Sequence, residues 1–220
     1  MQPYLILRLA GPMQAWGQPT FEGTRPVAAF PTRSGLLGLL GACLGIRRED
    51  KSGLQRLADS VRFAVRCDER TVNDRPLKPS KLTDYHTVQG ARENYRGLKS
   101  HETIQTWREY LCDAEFTVVV WCTENASIAL EELADKSRKP VFTPYLGRRS
   151  CPLSKPLYLG ECSATDPLTA LAMFEVAGVV YSEEPLKEDD RRFRVRDEPI
   201  ISLPRQFAAR DWFVVQQGGG

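Results

Sequence analysis

Residues Phe30–Ile46 read F-P-T-R-S-G-L-L-G-L-L-G-A-C-L-G-I. Pro31, Thr32 and Ser34 form a helix start, because a short hydroxyl accepts hydrogen bonds from the unpaired amides of a first turn. Leu37, Leu40 and Leu44 recur at helical spacing and give one apolar face. Gly35, Gly38, Ala42 and Gly45 form a second stripe with almost no side chains. Each interior helical glycine costs about 0.8–1 kcal/mol relative to alanine, so Gly35, Gly38 and Gly41 together cost roughly 2–3 kcal/mol. Gly45 is favourable where it stands, because glycine ends helices readily. A helix with that deficit is expected to pack closely against other backbone. Its first turn carries Arg33 and Ser34 beside free amides, which is also the make-up of an anion site. Two readings therefore stand, a tightly packed core helix and a phosphate-binding helix end.

Outward from this helix the pattern alternates between strands and helices. Tyr4–Ala10 sets Leu5, Leu7 and Leu9 against Ile6 and Arg8, as in a half-buried strand. A long loop, Gly11–Phe30, carries Met13, Trp16 and Phe21 among its prolines and glycines, and loops of that length are usually functional or wrapped on another surface. Beyond the helix come a short helical piece at Ser52–Ser60 and a strand at Val61–Asp68, whose outer face reads as cationic through Arg62 and Arg66. A central strand is expected at Ala114–Cys122, a helix at Ser127–Lys136, and a further strand within Pro140–Leu146 or Leu157–Glu161. The order is β-α-β, insertion, β-α-β. It predicts an α+β chain with the ferredoxin-like, RNA-recognition arrangement. The expected organisation is a ferredoxin-like RNA-binding domain over 1–150 and a small β-rich C-terminal domain over 151–220. The usual aromatic consensus of RNA-recognition domains is absent, so that fold does not by itself set how RNA is read.

The totals exclude several classes. With 220 residues the chain is long enough for a core without staples. Its six cysteines include no C-x-x-C pair and read as reduced thiols rather than disulfides or a zinc site. There is no basic leader, no run of about 20 apolar residues, and no motif for a metal or nucleotide cofactor. A cytoplasmic chain with no membrane, metal or cofactor is expected. Net charge is only +2, yet residues 23–48 carry four arginines and no acid, and residues 136–160 carry six cations and no acid. Such blocks fit one anionic partner, and equally a solvated surface.

The insertion Glu69–Asp113 interleaves Arg70, Arg75, Lys78, Lys81, Arg92, Arg96, Lys99 and Arg108 with Tyr85, His86, Tyr95, His101 and Trp107. Cations with aromatics between them suit phosphate contact plus base stacking. Tyr95, Lys99 and His101 also have the make-up of a metal-independent ribonuclease. Lysine would stabilise the phosphorane and histidine or tyrosine would move the proton of the 2′-hydroxyl. The same residues suffice to grip phosphate and base without turnover.

Four long motifs carry a family resemblance: Y-L-I-L-R-L-A-G-P-M-Q-A-W-G at Tyr4–Gly17, the glycine-rich helix at Phe30–Ile46, D-Y-H-T-V at Asp84–Val88 with K-S-H-E-T-I-Q-T-W-R-E-Y-L at Lys99–Leu111, and T-P-Y-L-G-R-R-S-C-P-L at Thr143–Leu153. On these the chain resembles the CasD family of RAMP-type subunits of type I-E CRISPR Cascade complexes. The resemblance implies a ferredoxin-like domain with an inserted thumb over about residues 71–113. It implies a non-catalytic subunit that caps the 5′ handle of the CRISPR RNA. It further implies contact with the backbone subunit and the large subunit, and so an indirect part in target DNA recognition. Related type I-C subunits cut precursor RNA with tyrosine, lysine and histidine. The alternative function is therefore a processing endoribonuclease using Tyr95, Lys99 and His101. Residue chemistry nominates the RNA contacts: Met13, Gln14 and Trp16 in the first loop, Arg25, then Thr32, Arg33 and Ser34 at the helix start. His86, Arg92, Lys99, His101 and Arg108 follow in the insertion, and Tyr145, Gly147, Arg148, Arg149 and Ser150 complete the set.

Overall fold

The computed structural model describes residues 1–20, 23–89, 103–174, 176–203 and 206–215. Strand β1 (Gln2–Ala10) leads into a loop with two short strands, β2 (Met13–Gln14) and β3 (Thr24–Arg25). Helices α1 (Arg33–Leu44) and α2 (Lys51–Ser60) follow, then β4 (Val61–Asp68). The insertion is two hairpins, a small one from β5 (Arg70–Val72) and β6 (Arg75–Leu77) and a long one from β7 (Ser80–Gln89) and β8 (Thr103–Cys112). The chain returns through β9 (Glu115–Cys122), α3 (Leu130–Arg138) and β10 (Tyr158–Ala164). It closes with α4 (Pro167–Ala172), β11 (Gly178–Ser182), β12 (Arg191–Pro199) and β13 (Phe207–Val215). Among the described residues no helix is long and apolar enough to cross a membrane.

Seven strands form one antiparallel sheet in the order β10-β1-β9-β4-β11-β13-β12. The first strand of the sequence is therefore an inner strand. The boundary expected at residue 150 does not divide this sheet. Strand β10 pairs with β1 at one side, and β11 pairs with β4 at the other, so residues after 150 extend the same layer. The strand left open between 140–146 and 157–161 is β10, beginning at Tyr158.

Both faces of the sheet are buried. Leu5, Leu7 and Leu9 of β1 join Phe63, Val65, Phe116, Val118 and Val120 beneath α1 and α3. Tyr4 and Ile6 point the other way, with Ala64, Val119 and Trp121, and α4 covers them through Ala170 and Leu171. That second layer corrects the reading of β4. Its outer face is not an exposed cationic surface, because Arg66 is buried and donates to Leu171 O at 2.9 Å, Phe174 O at 3.1 Å and Asp68 Oδ1 at 2.6 Å. Helix α3 starts three residues later than periodicity predicts. The amides of Ser127 and Ile128 are already taken by Ser60 Oγ, at 3.0 and 3.2 Å.

Helix α1 has the expected caps. Thr32 Oγ1 accepts from Gly35 N, and Gly45 closes the helix at φ 78°. The glycine stripe works differently from a backbone-on-backbone contact. A Cβ at Gly35 would stand 2.8 Å from the Trp16 indole, whereas Gly38 has nothing within 4 Å and floors an open groove. The six cysteines form no disulfide, and burial pushes the thiols of Cys43 and Cys67 up to about 12, so both stay protonated and unreactive.

Candidate nucleic-acid interface

The long hairpin β7–β8 sets Tyr85 directly opposite Trp107, with ring centroids 5.6 Å apart. The two rings are 52% and 43% exposed, which is unusual for a packed pair of this size. Gly23 lies against Trp107: its carbonyl accepts from Trp107 N at 3.1 Å, and a Cβ there would be 3.3 Å from the indole. Side chains alternate along a strand, so Arg108 and Tyr110 project to the other face of the hairpin. Strand β3 pairs in parallel with β8 and places Arg25 beside Arg108. The Arg148 guanidinium stands 4.7 Å from the Tyr110 ring centroid. Arg108 Nε donates to Thr106 Oγ1 at 3.2 Å, and His86 sits 3.5 Å from Asp84.

One face of the hairpin thus offers two adjacent, exposed rings tilted at 53° to each other, and the other offers three arginines drawn from β3, β8 and the segment after α3. Glu109 ties this base together. It accepts from Val27 N at 3.1 Å, a bond that holds its carboxyl below the ordinary range, and its carbonyl accepts from Arg148 at 3.4 Å.

The other nominated residues divide sharply. Gln14 and Trp16 are fully buried, so they are not surface contacts. Gln14 Nε2 donates to Ala114 O at 2.8 Å, and its Oε1 accepts from Trp16 Nε1 at 2.9 Å, which locks the first loop onto the sheet. Met13, half-buried, pairs with Cys112 through β2. Arg33 is also internal, with its side chain 4% exposed. Its Nη1 donates to Glu183 at 2.8 Å, and its Nε lies 2.6 Å from Glu198. Burial works against its charge, but those carboxylates hold its pKa above the ordinary arginine value. The helix-start amide expected to meet a phosphate, Arg33 N, donates instead to Asp197 Oδ2 at 2.8 Å. The chain fills its own anion site. Thr32 is spent on the cap, while Ser34 stays half-exposed.

Around Tyr145–Ser150 the loop turns at Gly147, φ 84°, where a Cβ would fall 2.0 Å from Ala15 O. Gly147, nominated as an RNA contact, lies instead against the chain's own first loop. Arg149 and Ser150 are exposed and Tyr145 is half-buried. Arg92, Tyr95, Lys99 and His101 lie outside the described residues. Among the described residues no group of three or more histidines, cysteines or carboxylates could hold a metal.

A model of the CRISPR-associated protein (Cas5) family matches residues 4–213. The chain belongs to the Cas5 family. The Cascade subunit CasD of Escherichia coli K12 is 65% identical to this Cas5 chain over 219 residues, covering 99% of it and 98% of the relative. A chain of a solved CRISPR RNA-guided surveillance complex is 31% identical, with a TM-score of 0.70 over 96% of this chain and 89% of that one. A crystal structure of a Cas protein is 30% identical, with a TM-score of 0.61 over 96% and 92% of the two chains. In this Cas5 chain the Tyr85–Trp107 pair was visible in sequence only as two aromatics within a basic insertion. Register makes them neighbours, since a pairing shifted by one residue would put them on opposite faces.

Proposed function

We propose that this Cas5 chain is the CasD-type subunit of a type I-E CRISPR surveillance complex, where it binds and caps the 5′ handle of the CRISPR RNA without cutting it. Its core is read as ferredoxin-like, because β10-β1-β9-β4 with α1 and α3 on one face has that strand order. The β7–β8 hairpin is read as the thumb. The subunit would meet the backbone subunit and the large subunit in the assembly, and would act on target DNA only through them. The observation that carries the reading is the joining of Tyr85–Trp107 to Arg25, Arg108 and Arg148 on one hairpin and its base. Stacking on exposed rings takes single-stranded bases, and fixed guanidiniums take the phosphates between them.

Binding of labelled handle RNA should weaken steeply with salt, by about 0.7 in log–log slope for each phosphate contacted. Arg108→Ala should make that slope shallower by about one contact. Trp107→Ala should weaken binding about 5–150-fold, the equivalent of about 1–3 kcal/mol for one lost stacked base, while leaving the slope unchanged. Binding that shows no salt slope, or that ignores both substitutions, rejects the reading. Incubating labelled repeat RNA with the protein in EDTA tests turnover. A product ending in a 2′,3′-cyclic phosphate that vanishes in His101→Ala would establish the processing ribonuclease instead.

A further inference from the structure

The edge strand β12 carries a row of arginines that the hairpin interface does not use. Its residues alternate from Arg192 to Arg196, before a bulge between Arg196 and Glu198. Phe193 and Val195 pack toward the core, and Asp197 is buried beneath them. Arg192, Arg194 and Arg196 point to the opposite face and are exposed. At about 3.4 Å per residue they stand roughly 7 Å apart. Directly opposite them on β13 are Phe213, Asp211 and Ala209, so a single acid faces three guanidiniums. That acid reaches only Arg192, at 3.7 Å, in a pair whose side chains are 69% and 42% exposed and so weakly bound. The side chains of Arg194 and Arg196 have no hydrogen bond or ion pair among the described residues.

The row does not end in solvent. Arg196 lines a groove of about 480 Å³, and Arg48 lines the same groove from the segment after α1. The floor is Gly35 and Gly38, and the walls include Ser34, Gln18, Phe207 and Gly147 together with apolar side chains such as Leu54 and Ile201. The residue after Gly147 is Arg148, which stacks on Tyr110 at the hairpin base. The groove therefore lies between the loop that carries Arg148 and the arginine row of β12, with Arg48 and Arg196 as its cations. Edge arginines also deter strand-to-strand aggregation. That role needs charge anywhere along the edge, and it accounts neither for three cations on one face nor for the groove that continues them.

We propose that Arg192, Arg194 and Arg196, with Arg48 at the groove, form a phosphodiester-binding track that takes a further stretch of the same single-stranded RNA. This rests on the proposed RNA-binding function. Guanidinium heads at every second strand position match a run of successive backbone phosphates, each taking a charge-assisted hydrogen bond. Along β12 itself the row offers guanidiniums on its exposed face, so there the contact is to the RNA backbone, while Gln18 and Phe207 stand beside Arg48 and Arg196 in the groove.

The test is a salt series of handle RNA binding to the whole chain carrying Arg192→Gln, Arg194→Gln and Arg196→Gln together. Loss of three phosphate contacts should make the slope shallower by about 2, and should weaken binding on the order of 100-fold at about 0.1 M salt. The triple lysine replacement should keep the slope. Arg48→Gln, on a different element, should lower it by about 0.7, which gives a second reading if the glutamine triple fails to fold. A wild-type slope in both the folded triple variant and Arg48→Gln overturns the track. Tighter binding of DNA of the same sequence than of RNA overturns the assignment to RNA. Polyglutamate binding that is lost in the triple variant while RNA binding persists would assign the row to an acidic protein instead. Wild-type protein that binds no RNA at any salt refutes the proposed function itself, so the two failures are distinguishable.

Discussion

Glu183→Ala is expected to lower the unfolding free energy by about 3–5 kcal/mol, the cost of stripping one partner from a buried ion pair. Glu183 is buried and accepts from Arg33 at 2.8 Å, from Arg210, and from the backbone N–H of Phe63 at 3.2 Å. Burial pushes its carboxyl above the ordinary range, against the pull of both arginines. Without it, Arg33 keeps a charge in a site walled by Phe63, whose ring centroid is 5.6 Å from the guanidinium. Glu198 remains within reach of Arg33 Nε but is one-third exposed and cannot replace the inner carboxylate. Chemical denaturation reads the loss as a lower midpoint at unchanged m. Combining Glu183→Ala with Arg33→Ala should cost less than the sum of the two, because the stranded charge is then absent. A loss below about 1 kcal/mol for the single variant would show that water reaches the site and that the pair is effectively at the surface.

Gly147→Ala should cost about 2–5 kcal/mol. A non-glycine residue in left-handed backbone accounts for about 1–2 kcal/mol of this. The remainder is steric, because the new Cβ would stand 2.0 Å from Ala15 O, and the loop must move away. That motion breaks the bond from Ala15 N to Leu146 O, 3.0 Å long, and leaves a buried donor unpaired at about 1–3 kcal/mol. The same loop wall borders the groove, so RNA binding should weaken alongside stability. A thermal midpoint within a degree or two of the wild type would mean the loop relaxes freely.

Much of the core was legible because it depends on local periodicity. Helix α1 has both of its expected caps, at Thr32 and Gly45, since capping is decided by adjacent residues. Strands β1, β4 and β9 follow their alternation or apolar runs. The misreadings share one cause, which is partners distant in sequence. Arg33 looked like a phosphate ligand because nothing near it is acidic, but Asp197 and Glu183 reach it from 164 and 150 residues away. Arg66 looked solvated because the covering helix α4 lies 105 residues on. Trp16 and Gln14 occupy a loop, and loops are ordinarily at the surface. Trp16 packs into the core against Gly35 of α1, and Gln14 anchors the loop through a bond to Ala114, 100 residues later. The arginine row of β12 was passed over for a different reason. It stands outside the four motifs that carry the family resemblance, and three charges in alternation do not by themselves show whether their neighbours are acids.

The bond from Arg33 to Glu183 has a consequence for how the chain is made. Ribosomes add about 5–20 residues per second, so a gap of 150 residues leaves this arginine without its carboxylate for on the order of 8–30 s during synthesis. Within that interval the two strands that flank β1 arrive one after the other, β9 complete at Cys122 and β10 at Ala164. The nascent N-terminal third therefore gains its sheet neighbours well before Arg33 gains its carboxylate, so the ion pair is among the last contacts of the core to close.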